Sequence, residues 1–184
     1  SEGGTARQLT EGRFNFASYR GGQTVWSKDS KYIYVSTNLE DDWEAEGYRQ
    51  SDIYQVNAND GKMDKLTDRD GPDGNPTPSP DGKSLAYTGF DNKKMATQIS
   101  HMYVMNLKTR KIREIKTKLD RGVSNISWSG DSKSIIFNYA DKGNTKLAQT
   151  TLKGKNNILT NNLGRSYSLT TDGRFVFITT RPDL

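Results

Sequence analysis

The sequence predicts an all-β chain: a β-propeller fragment of three complete four-stranded blades with a partial blade at each end. Two observations lead there. One short phrase (Ser or Thr, any residue, Asp, Ser or Gly, then Lys or Arg) is written four times, at 27–31, 79–83, 129–133 and 170–174. Each copy precedes an apolar stretch: Tyr32 to Val35, Leu85 to Tyr87, Ile135 to Phe137, and Phe175 to Ile178. Asp29, Asp81, Asp131 and Asp172 stand 52, 50 and 41 residues apart. That is the period of a propeller blade or similar array, not of a helical solenoid.

The elements follow from the phrase. Ahead of it comes a first strand with a bulky residue three positions before the Asp: Trp26, Pro78, Trp128 and Leu169. In Ser79-Pro80-Asp81-Gly82, Pro presets φ for a type I turn and Gly takes the left-handed position that closes the hairpin. Gly173 is expected to do the same, and Ser30 and Ser132 to hold that position without glycine. The apolar stretch after the turn reads as a second strand buried on both faces. Third strands are expected at 52–56 and 101–105, with a weaker copy at 146–149. Fourth strands are expected to end in Lys65-Leu66-Thr67, Glu114-Ile115-Lys116 and Ile158-Leu159-Thr160. The tight-turn sequences 59–62, 108–111 and 153–155 separate third from fourth strands. Four strands joined by hairpins make a blade.

Counting then gives the organisation. Residues 5–10 read as the last strand of one blade; 23–67, 75–116 and 123–160 as whole blades; 166–180 as the first strands of another. Propellers close with typically four to eight blades, so the expectation is a partial propeller whose missing remainder lies elsewhere in a longer polypeptide. Head-to-tail closure by two copies is the other way to complete the ring.

Composition narrows the function classes. Aromatic residues at 10% argue against disorder despite 27% charged residues. A net charge of +5, with acidic residues interleaved in the densest basic stretch (108–121), gives no basic face and argues against a nucleic-acid partner. There is no cysteine, hence no disulfide framework or thiolate metal site. No run reaches the length of a membrane span.

The stretch 78–87, Pro-Ser-Pro-Asp-Gly-Lys-Ser-Leu-Ala-Tyr, resembles the Pro-Asp type of WD-like repeat. That repeat occurs in TolB and in the N-terminal propellers of prolyl oligopeptidase family serine peptidases. Two further stretches are similar to acylaminoacyl- and dipeptidyl-peptidase-like members: 42–46 leading into 51–54, and 66–74 leading into 79–82. The long loops at about 36–51 and 88–100 fit those peptidases better than TolB. The resemblance implies a propeller that caps a separate C-terminal α/β-hydrolase domain and limits which peptides reach it. A TolB-like interaction module, binding a protein partner, is the alternative. Either resemblance leans toward a periplasmic setting.

No catalytic residue is expected within this chain. The nearest approach to a nucleophile elbow, 164–168, lacks the second glycine. The one histidine, His101, falls on a third strand without a nucleophile motif and reads as structural. Glu40 to Glu46 places five carboxylates in seven residues around Trp43. Asp42, Trp43, Glu44 and Glu46, with Arg49, are the candidate substrate- or partner-binding residues, since long loops on a rigid scaffold collect such roles; a solvated loop is the competing reading. Asp68, Asp70 and Asp73 invite a cation reading. Pro72 and Ser79, however, stand where ligands of an EF-hand loop would be, which favours an interblade turn whose aspartates accept backbone N–H groups. No cofactor is expected. The recurring aromatic residues (Tyr32, Tyr34, Tyr54, Tyr87, Tyr103, Phe137, Phe175, Phe177) read as packing between blades.

Overall fold

The computed structural model describes residues 5–12, 24–39, 50–160, 166–169 and 176–179, the last two spans by their backbone. Its strands form three antiparallel four-stranded sheets and one hairpin. The first sheet contains β1 (Val25–Trp26), β2 (Tyr32–Thr37), β3 (Asp52–Asn57) and β4 (Met63–Lys65), in that order. The second contains β5 (Asp73–Pro78), β6 (Ser84–Gly89), β7 (His101–Asn106) and β8 (Ile112–Glu114). The third contains β9 (Val123–Trp128), β10 (Ser134–Asp141), β11 (Asn144–Thr151) and β12 (Asn156–Ile158). β13 (Ser166–Leu169) pairs with β14 (Val176–Thr179). No helix occurs among the described residues. The architecture is that of a β-propeller fragment.

The repeated phrase builds its turn the same way in all three blades. Ser30 and Ser132 sit at φ 57° and 60°, beside Gly82 at 71°, so serine does occupy the left-handed position. The first serine and the Asp add a network. Ser79 Oγ donates to Asp81 Oδ1 (2.6 Å), which also accepts from Lys83 N–H (3.0 Å), while Ser79 Oγ accepts from Ser84 N–H (3.0 Å). Ser27 with Asp29, and Ser129 with Asp131, repeat that set. Successive turns are also stitched together. Lys28 Nζ donates to the Pro80 carbonyl, and Asp81 N–H donates to Ser132 Oγ (3.0 Å).

Period-two burial makes the seams between blades. Tyr34 and Ile53 of the first blade meet Leu85, Tyr87 and Met105 of the second. Ala86, Met102 and Val104, on the opposite face of the second sheet, meet Ile135, Phe137 and Tyr139 of the third. Alternate residues of β6 thus serve alternate neighbours, as a pleated strand buried on both sides requires. Trp128 is buried in the second seam, its indole N–H donating to the Thr77 carbonyl (2.9 Å).

Three expectations need correcting. The fourth strands end at Lys65, Glu114 and Ile158, before the Leu-Thr positions assigned to them. Thr67 Oγ1 accepts the Ile53 N–H and Thr160 Oγ1 the Leu147 N–H (both 2.9 Å), so a side chain replaces the ladder carbonyl while the backbone turns toward the next blade. The second blade starts at Asp73, not 75, because Asp73 and Gly74 already pair with Gly89 and Thr88. Residues 5–12 form no strand, since no described strand lies beside them to complete a ladder. They lie instead against the β3–β4 turn. Arg7 donates to the Ala58 and Asn59 carbonyls (3.0 and 2.8 Å), and the Leu9 carbonyl fills the place a Cβ on Gly61 would need. Lys116, which follows β8, approaches Gly154 in the β11–β12 turn of the third blade in the same manner.

Candidate functional site

Because strands alternate in direction, the Ser-x-Asp turns share one face with the β3–β4 and β7–β8 turns. The opposite face receives the interblade turn 66–72, the 90–100 loop and the described ends, 38–39 and 50–51, of the β2–β3 connection. On this second face the first seam differs from the second. Asp73 N–H donates to the Ser51 carbonyl (2.7 Å), as Val123 N–H does to Ser100 (3.0 Å), so Asp73 and Val123 hold equivalent positions. Asp73 is nevertheless 1% exposed.

Arg69 accounts for this buried acid. Its guanidinium pairs with Asp73 Oδ1, lies 3.8 Å from the ring centre of Tyr103 and reaches Asp91 Oδ1 at 3.7 Å. Tyr103 stacks on Tyr87, ring centres 5.3 Å apart. Burial pushes the Asp73 carboxyl up to about 7 against the pull of Arg69, and burial likewise raises Asp52 and both tyrosines. Ser36 and Ser51 hydroxyls donate to the Asp73 carbonyl (2.7 and 3.1 Å). Gln50, at the root of the 38–51 loop, donates to the Arg69 carbonyl and accepts from Gly71 N–H. Asn92 N–H donates to the Asp70 carbonyl (2.8 Å). The interblade turn thus fastens the roots of both long loops.

Beside this knot, the 90–100 loop, the start of β7 and the end of β8 enclose a cleft of about 360 Å³. Met95, Gln98 and Ile99 form the loop wall; His101, Tyr103 and Glu114 form the sheet wall, and Asp91 stands at the rim. His101 Nδ1 lies 3.1 Å from Glu114 Oε1. The pair occupies the positions that Asp52 and Lys65 hold in the first blade, 2.8 Å apart. Each links the first residue of a third strand to the last residue of a fourth, a diagonal cross-strand pair that fastens the outer edge.

No protein-family model matches the chain. Its sequence is 30% identical over 129 residues to dipeptidyl-peptidase 5 of Porphyromonas gingivalis, covering 70% of this chain and 19% of that protein. The chain is a propeller segment related to dipeptidyl-peptidase 5. It spans about a fifth of the length of that peptidase. Among solved structures, TolB from Acinetobacter baumannii aligns at a TM-score of 0.64 with 24% identity, over 86% of this chain and 37% of its own. A structure from a study of two prolyl endopeptidases aligns at 0.59 with 16% identity, over 85% of this chain and 25% of its own. At those identities the structures establish the propeller fold.

In this dipeptidyl-peptidase 5 relative, Asp42, Trp43, Glu44, Glu46 and Arg49 lie outside the described residues, as does the fourth copy of the phrase at 170–174. Of the cation candidates, the Asp73 carboxylate takes the Arg69 guanidinium instead of backbone N–H groups, and Asp70 uses its main-chain carbonyl. Among the described residues no group of three acidic or histidine side chains is placed to hold a metal ion. Arg69 and Glu114 are not among the residues that sequence pattern marks as functional. Aligning Ser51-Asp52 with Ser100-His101 across the blades would have brought out the His101–Glu114 pair. Nothing in the sequence singles out Arg69.

Proposed function

We propose that this chain is the non-catalytic propeller segment of a prolyl oligopeptidase-type serine peptidase, and that it caps an α/β-hydrolase domain carried elsewhere in the same polypeptide and limits which peptides reach it. The observation that carries the reading is the 30% identity over 129 residues to a dipeptidyl peptidase. The propeller fold supports it, as does the interblade turn that fastens Gln50 and Asn92 on one face, since residues positioned by a rigid scaffold can meet a substrate or a facing domain. The rest of the ring and the hydrolase domain are the partners this reading requires. Trp26 supports a further blade: it occupies the position of Trp128 yet is 55% exposed, against 3%.

The test is made on the full-length gene product, with dipeptidyl- and aminoacyl-nitroanilides and a fluorophosphonate probe. Turnover and covalent labelling are expected; absence of both overturns the peptidase reading and favours a TolB-like interaction module. In the same protein, Glu44→Gln with Glu46→Gln is expected to raise KM or loosen docking of the hydrolase domain. Unchanged values would make the acidic loop a solvated one.

A further inference from the structure

We infer that the turn 69–73 is a strap coupling the root of the 90–100 loop to the root of the β2–β3 connection, with Arg69 as its positioning residue, so that a disturbance at one root is felt at the other. Three backbone segments lie side by side here: 50–51, the strap, and 89–92. On one side the Gln50 amide grips the strap twice, donating to the Arg69 carbonyl (2.9 Å) and accepting from Gly71 N–H (2.7 Å). Ser51 bridges Pro72 in parallel, and its carbonyl accepts from Asp73 N–H (2.7 Å). On the other side the Asp70 carbonyl accepts from Asn92 N–H (2.8 Å), and Asp73 pairs with Gly89. Gly71, at φ 133°, approaches the Phe90 carbonyl and the Asn92 nitrogen too closely for any Cβ to fit.

Backbone bonds at a loop root open locally at low cost, and Arg69 adds the contacts that resist this. Its guanidinium reaches Asp73 at the far end of the strap, Asp91 at the start of the loop (3.7 Å), and the ring of Tyr103 in β7 (3.8 Å), the strand that the loop enters. The second seam shows that packing two blades does not require such a residue. There Val123 stands in the place of Asp73, its N–H still donates to the Ser100 carbonyl (3.0 Å), and the blades meet through apolar side chains. The connection beyond that seam is the two-residue turn Lys142-Gly143. Among the described residues no hydrogen bond or ion pair joins 115–122 to it. The strap and its arginine occur where long connections flank the seam on both sides, and are missing where one of the two is a tight turn. That contrast assigns them to the connections and not to the seam. Networks of hydrogen bonds and ion pairs on rigid elements carry such coupling, and it acts in both directions.

Hydrogen exchange of the full-length protein, read at single amides, tests this. Gln50→Ala releases the strap on one side, and Asp91→Asn removes the ion pair on the other. Gln50→Ala is expected to speed exchange of the Asn92 amide about fivefold, and Asp91→Asn that of the Gly71 amide by a similar factor. The Leu159 amide, bonded to the Leu147 carbonyl in the third blade (2.9 Å), is expected to keep its rate in both. In Arg69→Met with Asp73→Val, which gives the first seam the apolar character of the second, both cross-effects are expected to disappear while Leu159 stays protected. Arg69→Lys is expected to lose them too, because an ammonium group keeps the charge without the planar reach to Asp91, Asp73 and Tyr103 together. Cross-effects that are absent, that run in one direction only, or that survive in the double variant overturn the coupling. An equal rise at Leu159 also overturns it, since it would mark general loosening. No cleavage is measured, so the coupling and the peptidase reading fail or stand separately.

Discussion

Asp29, Asp81 and Asp131 each accept from the serine two residues back and from the backbone N–H two residues on. Those bonds favour the ionised form, the serine hydroxyl foremost, and hold all three below the ordinary carboxylate range. Their stabilisation is therefore present above the unfolded value of 3.8 and lost as pH falls through the lowered folded values. Asp73 runs the other way: raised by burial to about 7, it contributes most below 3.8, and that contribution is lost as pH rises through about 7. Melting temperature is accordingly expected to be highest near the unfolded carboxylate value, falling toward lower pH and again as pH rises from 3.8 to about 7, with no further loss from Asp73 above that. Asp73→Asn should flatten the upper fall and leave the lower one intact, as calorimetry at about pH 3, 4.5 and 8 would register. Ser30, at φ 57°, is the residue where glycine relieves strain. Ser30→Gly is expected to be neutral or to stabilise by up to ~1 kcal/mol, and a clear drop in melting temperature would count against the turn geometry.

At the level of strands and seams, the sequence announces what depends on local chemistry. The turn phrase, the second strands and their burial are legible because each follows from residues within one hairpin. The fourth strands end two residues before the ends expected of them, because a threonine hydroxyl that substitutes for a ladder carbonyl, as at Thr67 and Thr160, is written like any strand threonine. The Arg69–Asp73 pair was illegible for a different reason. Its partners are four apart in an irregular turn, and the position matters only once Tyr87 and Tyr103 close over it. Asp73→Val, which copies the Val123 of the next seam, is expected to cost ~3–5 kcal/mol, since it strands a buried guanidinium. Adding Arg69→Met should return that loss or exceed it, as all-apolar replacements of buried pairs do. Urea unfolding of the two single variants and the double variant measures the coupling, and additive losses would show that the two residues do not act as a pair.

Across the whole molecule, three blades bury one another in sequence and the first keeps its leading tryptophan half in water. If the full-length protein places another blade ahead of β1, Trp26 should lose that exposure. The fluorine resonance of 5-fluorotryptophan at position 26, assigned through Trp26→Phe, is expected to be sensitive to solvent isotope in this chain and insensitive in the full-length protein. Equal sensitivity in both would mean that no blade covers it.

The contrast between the two seams also bears on how such a chain avoids scrambling itself. Blades with near-identical backbones can pair out of order, and misassembly of neighbouring units is a recurrent failure of repeat proteins. A third blade set against the first would bring Val123 to the place of Asp73 and leave Arg69 facing hydrocarbon. A second blade in the third position would carry Asp73 to a seam without that arginine. The buried pair thus makes the correct neighbour distinguishable from its look-alike by an electrostatic penalty on the wrong one. In this chain, a charge that a uniform repeat would not need labels the blades with their order.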